Sequence, residues 1–245
     1  MKIHIHTVVK DEEVILPYFI RHYSTFADKI FIMYKKSSDK TEEILKEAAK
    51  VNSCVVPIDL NYDDGNDPVK LADFNFSMVE LSCKFRSRGI ADYVMCVDAD
   101  EFMYNPNMLK QMQKNKDLGK QVIRSTGYQM VSNTLPTTKG QIYEEIFMGV
   151  RSSSFTKTQI FDPKLDVKGI HGRHKVILPN GITAEWGHIS LLHFKMIGKE
   201  YFEKRARERW YLWGYHKPYT DMRIQKGLDL MDGKLDPIRR IVWTT

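Results

Sequence analysis

The chain has 245 residues, a net charge of +6, and 42% hydrophobic against 28% charged residues. That balance excludes disordered and fibrous classes and provides a core for one large domain, with or without an appendage. The charge alone does not choose between nucleic acid and smaller polyanions such as nucleotide diphosphates or acidic lipid surfaces. However, no Lys/Arg block is long enough to read as a nucleic-acid tail, and nucleic acid is not an expected partner.

The elements follow in chain order. Residues 3–9 (IHIHTVV) read as a strand, and 14–26 as a helix whose Ile15, Phe19, His22, Tyr23 and Phe26 share a face. A second strand spans 30–34. The polar turn Ser37-Ser38-Asp39 then caps a helix over 41–50, and a third strand covers 54–58. Residues 61–68 (NYDDGNDP) form a loop and 69–86 a helix. The run 93–97 (YVMCV) is apolar without alternation, which suits a strand covered on both faces of a parallel sheet. This alternation of strand and helix predicts right-handed crossovers and a mainly parallel sheet.

Beyond residue 100 the pattern is less regular. Strands are expected at 121–130, 145–150, 155–161 and 174–178, with one more within 181–194. A long amphipathic helix starts near Lys199, with Phe202, Ala206, Trp210 and Trp213 on one face. The tail from 195 to 245 carries 12 Lys/Arg against 7 Asp/Glu. Cys54, Cys83 and Cys96 form no C-x-x-C pair. That sparse, odd set suits a reducing compartment, and 1–10 lacks the apolar stretch of a signal peptide, so a cytoplasmic location is expected.

The sharpest signal is Asp98-Ala99-Asp100-Glu101, three carboxylates within four positions directly behind the apolar strand. In open α/β sheets, ligands bind outside the carboxyl ends of the strands. Carboxylates at i and i+2 can converge on a hard cation, and Mg²⁺ or Mn²⁺ commonly takes one or two of them and completes its shell with water and substrate phosphates. The competing reading is a helix cap for a helix starting near Met108.

Several segments, in order, resemble the GT-A fold glycosyltransferases of the broad family-2-like group with a D-A-D-E-F metal motif. They are HTVVKDEEVILPYFIRHY, IFIMYKKSSDKT, YVMCVDADEF, FTKTQIFDP followed by His171, and LLHFKMIGKEYFEKR. The resemblance implies a GT-A type, Rossmann-like sheet flanked by helices. Its catalytic domain would span 1–198, with a nucleotide-binding half at 1–102 and an acceptor-side half at 103–198, and a helical extension at 199–245 would pack on it. It implies an enzyme, a hexosyltransferase-type glycosyltransferase, using Mn²⁺ or Mg²⁺ and a nucleotide-diphosphate-sugar donor. The sugar would pass, with inversion, to a hydroxyl of a glycan or other acceptor. By residue, it implies Asp98, Asp100 and His193 at the metal, with Asp98 also near the donor ribose and diphosphate. Thr7 would line the base pocket, Asp39 would contact base or ribose, and Lys70 and Asn75 would contact the donor. The sequence departs from the pattern at 34–37 (YKKS), where an acidic-Asn-Gly turn is usual, and at 196–198 (MIG), where Lys-Ser is usual. Lys195 is the residue placed to supply the missing charge to the diphosphate.

Inverting transfer needs a base for the acceptor proton. Asp162 leads the candidates because it lies in a loop after an apolar strand; Asp166, Glu144, Glu145 and Glu185 follow, then His171 and His174. His4 and His6 alternate along the first strand and read as packing groups. The tail aromatics Trp210, Tyr211, Trp213, Tyr215, His216 and Tyr219 suit a core-facing helix or a sugar platform. Arg205, Arg207 and Arg209 suit a solvated face, a lipid headgroup or an anionic, lipid-linked acceptor. The rival readings are a metal-dependent nucleotidyltransferase or phosphoesterase and a basic, non-catalytic nucleic-acid-binding module. No G-x-x-x-x-G-K-[ST] or G-x-G-x-x-G is present to support the first.

Overall fold

A computed structural model describes residues 1–61, 68–170, 175–212, 217–234 and 239–240. The first half comprises β1 (Ile3–Val9), α1 (Leu16–Tyr23), β2 (Lys29–Tyr34), α2 (Thr41–Val51), β3 (Val55–Asp59), α3 (Pro68–Arg86) and β4 (Tyr93–Cys96). The strands pair in parallel in the order β3-β2-β1-β4. All four residues of β4 are buried, which explains its lack of alternation.

The chain winds outward from β1 to β3 and returns through α3 to the opposite side of β1. With right-handed crossovers, that reversal puts α1 and α2 on one face and α3 on the other. The faces bury separate clusters. Leu16, Phe19 and Tyr23 belong with Ile3, Ile5 and Met95, whereas Val79 and Cys83 belong with Met33, Val94 and Cys96. The reversal between β1 and β4 opens a crevice beyond their carboxyl ends, which is where the Asp98–Glu101 carboxylates fall.

The second half adds β5 (Glu101–Tyr104), α4 (Met108–Asp117), β6 (Val122–Ser132), α5 (Ile142–Glu145), β7 (Met148–Arg151) and a 3₁₀ turn (Ser153–Phe155). It continues with β8 (Thr158–Phe161), β9 (Lys168–Ile170), β10 (Lys175–Ile177), β11 (Glu185–Ile197), α6 (Lys199–Leu212), α7 (Lys217–Met231) and β12 (Arg239–Arg240). β8 lies antiparallel between β4 and β6. β11 pairs in parallel with β6 and antiparallel with β5, while β9 and β10 form a separate hairpin. The result is the expected α/β class: a mixed sheet of GT-A type, flanked by helices, with a helical C-terminal part.

Some boundaries differ from expectation. The strand expected at 145–150 starts at Met148, because 142–145 form α5, held by a capping box between Gln141 and Glu144. The strand expected at 155–161 starts at Thr158, after the 3₁₀ turn. β5 and β9 were not expected. The tail holds two helices, α6 and α7, which bury Phe202 and Ala206 against Ile224 and Leu230. The side chains of Trp210 and Tyr211, and residues 213–216, lie outside the described residues. Among the described residues, no helix is long and apolar enough to cross a membrane.

Two buried histidines make the fold pH-sensitive. His22 bonds Met103 O at 2.9 Å, and its burial pushes the ring pKa down to about 4; burial likewise lowers that of His4. Below about pH 6.5 the unfolded chain takes up protons that the folded rings refuse, so stability present at neutral pH is lost as pH falls toward 4. His22 alone is expected to cost about 2 kcal/mol at pH 5. Urea unfolding at pH 7.5 and pH 5 should show a lower midpoint at pH 5.

Candidate functional site

The backbone between β4 and β5 makes a tight turn in which Glu101 N–H donates to Asp98 O at 3.0 Å. Helix α4 starts ten residues after Asp98, so the carboxylates turn into a strand and are not a helix cap. Phe194 N–H on β11 donates to Asp100 O at 2.7 Å and holds the turn against the sheet.

Glu101 is fully buried and anchors this turn. Its Oε1 accepts from Lys157 Nζ at 2.5 Å, with side-chain exposures of 1% and 2%. Its Oε2 accepts from Gln159 Nε2 at 2.8 Å and from Asp98 N–H at 3.2 Å. Lys157 and Gln159 arrive because β8 runs antiparallel to β4, which brings the beginning of β8 to the carboxyl end of β4.

His193, directly opposite Glu101 across the β5–β11 ladder, carries the site's main chemical information. Gln129 Nε2 donates to Met130 O (2.8 Å) and His193 O (3.0 Å), so its Oε1 accepts from His193 Nδ1 at 2.7 Å. The ring proton is thus on Nδ1, and the Nε2 lone pair looks toward Asp100 Oδ2 at 3.6 Å. Burial is the main cause that lowers the His193 pKa to about 3; Glu101 and Asp98 oppose it, and Lys195 and Lys157 reinforce it. A neutral imidazole lone pair facing a carboxylate is electrostatically unfavourable, and a cation between them removes the conflict. An imidazole nitrogen with a carboxylate oxygen is a donor set that fits a divalent metal.

Phe155 stacks on the His193 ring, with centroids 3.8 Å apart and planes at 19°. Its backbone can approach because position 127 on β6 is glycine, where an added Cβ would lie 2.0 Å from Phe155 C. Beside Asp100 a narrow cavity of about 20 Å³, enough for a water or a bare ion, is lined by Glu12, Lys195, Tyr201 and Arg205. Arg205 reaches from α6 to Glu12 Oε1 at 2.6 Å and to Asp11 O at 2.5 Å.

The structure therefore gathers Asp98, Asp100, His193 and Lys195 at one end of the sheet, but not as the expected three-ligand cage. Among the described residues, no three His, Cys, Asp or Glu side chains are grouped to hold a metal. Asp100 and His193 make the close pair. Thr7 sits at the carboxyl end of β1 but is completely buried, with no partner for its Oγ1 among the described residues, so it presents no surface to a base. Asp39 is occupied in another way: its oxygens accept from Thr41 N–H at 2.9 Å and Glu13 N–H at 3.0 Å. Burial alone would raise its pKa, but these bonds and the Thr41 side chain outweigh burial and hold the carboxyl below its usual range. Asp39 thus ties the loop after β2 to the loop after β1. Asn75 lies on α3, with its Oδ1 buried and unpartnered among the described residues; the Lys70 side chain lies outside them.

The expected base, Asp162, lies at the opposite end of the sheet. Phe161 pairs with Val94, which leaves Asp162 level with Tyr93, about 16 Å along the strand from Asp98. Its Oδ1 accepts from Lys164 N–H at 2.9 Å. Asp166 is ion-paired to Arg88, Glu144 closes the α5 cap, and Glu145 accepts from the Thr137 and Thr138 amides. Glu185 begins β11, eight residues and about 25 Å before His193. His171 and His174 lie outside the described residues. Gln129 was not anticipated at the site, nor were the bracing role of Glu101 and the pairing of Arg205 with Glu12. Lys157 was visible as the lysine of FTKTQIF, but its partner was not.

No family model matches the chain, and no curated protein matches it. Among solved structures, it is similar to residues 1–349 of S. aureus TarS, with a TM-score of 0.52 and 12% identity over 94% of this chain and 71% of that one. It is similar to a longer S. aureus TarS chain, with a TM-score of 0.51 and 10% identity over 96% of this chain and 44% of that one. A third likeness is to TarS 1–349 in complex with UDP-GlcNAc, with a TM-score of 0.50 and 12% identity over 94% and 72% of the two chains. At these identities the likeness is one of fold.

The buried ion pair generates a stability prediction. Lys157→Met strands the Glu101 charge in the sheet and is expected to lower unfolding free energy by about 3–5 kcal/mol. Lys157→Met combined with Glu101→Gln should recover a large part of that loss. Urea unfolding of the two single mutants and the double mutant measures the coupling.

Proposed function

We propose that this chain is a metal-dependent glycosyltransferase that moves a sugar from a nucleotide-diphosphate donor to a hydroxyl of a glycan-type or other acceptor, with inversion. The observation that carries this reading is the His193 Nε2 lone pair facing Asp100 Oδ2 at 3.6 Å, at the carboxyl end of a parallel sheet where strand order reverses. The solved TarS structures with UDP and UDP-GlcNAc support the nucleotide-sugar part, as proteins of similar fold.

In this reading Asp100 and His193 hold Mn²⁺ or Mg²⁺, and the imidazole favours Mn²⁺. The metal supplies charge neutralisation at the departing diphosphate. Lys195, lining the cavity next to Asp100, adds a second positive charge there, and Asp98 faces the donor ribose and diphosphate. The Gln129 bond fixes the His193 tautomer, and the Phe155 ring fixes its plane, so the lone pair is aimed before donor arrives. Glu101 is not the base, because its charge is committed to Lys157. With Asp162 displaced, His171 and His174 are the candidates carried forward for the acceptor proton.

A thermal-shift panel of nucleoside diphosphates and nucleotide sugars tests the reading. A donor with Mn²⁺, present at about 100 times its Kd, is expected to add about 2.7 kcal/mol of stability. Asp100→Ala and His193→Ala should each lose the metal-dependent part. Undiminished Mn²⁺-dependent binding in Asp100→Ala would remove the assignment.

A further inference from the structure

A second cavity, of about 590 Å³, lies on the α3 face of the sheet and is not used by the chemistry above. Its size is within the range of small-molecule pockets. Val79 and Cys83 on α3, Cys96 on β4, Phe161 on β8, and Val167 and Val176 give it apolar walls. Cys96 stands two residues before Asp98, so one end of the cavity approaches the carboxylate turn.

Gln159 lines the cavity and is 1% exposed. Its Nε2 donates to Glu101 Oε2, which fixes the amide orientation, and its buried Oε1 has no hydrogen-bond partner among the described residues. An unsatisfied buried acceptor is costly, and a donor on a bound molecule would satisfy it. The charged lining is mixed. Arg88 is matched by Asp166, and Glu80 accepts from Gly169 N–H at 2.9 Å. Lys84 and Lys168, both exposed, bring the charged lining to three cations against two anions.

We propose that this cavity binds a hydroxylated amphiphilic anion. Its hydroxyl donates to Gln159 Oε1, its apolar body lies along Val79, Phe161 and Val176, and its anionic group meets Lys84 and Lys168. Where the transferase reading holds, on which this step rests, the molecule is the acceptor class: its hydroxyl is bound by the same glutamine that braces Glu101, within the turn carrying Asp98 and Asp100.

Titration calorimetry of the full chain, without nucleotide or metal, tests the site with 8-hydroxyoctanoate, octanoate and 1,8-octanediol. The expected result is one 8-hydroxyoctanoate per chain, with octanoate and the diol each bound about tenfold more weakly. Lys84→Gln/Lys168→Gln changes exposed positions only and should erase the preference for the hydroxy acid over the diol. Val79→Trp fills the cavity and should abolish binding while leaving any Mn²⁺-dependent nucleotide binding as in the parent chain. Absence of binding, equal binding of octanoate and the hydroxy acid, or an unchanged preference in the lysine double variant overturns the proposal. Hydroxy-acid binding in a chain that binds no nucleotide would overturn the transferase reading and leave the cavity assignment standing. Nucleotide binding without hydroxy-acid binding would do the reverse.

Discussion

The Glu101–Lys157 ion pair is the constraint around which the site is organised. Both side chains are essentially inaccessible, so either charge alone would be strongly unfavourable, and the pair requires β8 to be seated beside β4. Glu101 also receives the Asp98 amide and the Gln159 side chain, so one carboxylate dictates the shape of the turn. Asp98 and Asp100 flank Ala99 within that turn and inherit their positions from it. The most buried carboxylate of the cluster therefore serves to position its two neighbours.

A similar division applies at His193. Gln129 and Phe155 have no titratable role, yet they determine where the imidazole lone pair points. In the proposed reading, a metal held by only two protein ligands depends on such support more than one in a full cage does, because fewer bonds fix each ligand's orientation. The positions such an ion would keep open are what a diphosphate would need. Lys195 of β11 and the Arg205–Glu12 pair line the adjoining cavity, so helix α6 contributes to the charge around the site as well as to packing.

The parallel half of the fold was legible in the sequence because each unit is local. YVMCV reads as a doubly covered strand, and the helices after β1 and β2 show their apolar faces within a few turns. The carboxylate cluster was legible for the same reason: three acids follow one apolar run. What could not be read was direction. Asp162 follows an apolar strand as Asp98 does, and local pattern treats the two alike. Only the antiparallel pairing of β8 with β4 sends Asp162 to the far end and brings Lys157 to the near one. Thr7 and Asp39 show a second limit. Both stand at the carboxyl end of the sheet, but full burial of one and the amide bonds of the other depend on how two loops meet. β5 was missed because its four residues pair with β11, some ninety positions later, and carry no turn signal of their own.

The spacing of the central contacts has a consequence for biosynthesis. Glu101 meets Lys157 56 positions later, and Gln129 and His193 are 64 positions apart. A ribosome emits the four parallel strands before β8 and β11, and a nascent chain that stops just after β5 exposes a glutamate with no countercharge and a β5 with no neighbour. Such a chain can settle its hydrophobic layers while the turn bearing Asp98 and Asp100 has no defined shape. In the proposed metal reading, affinity for the ion is accordingly acquired only after β11 has emerged, and products truncated before it would fold in part without acquiring it.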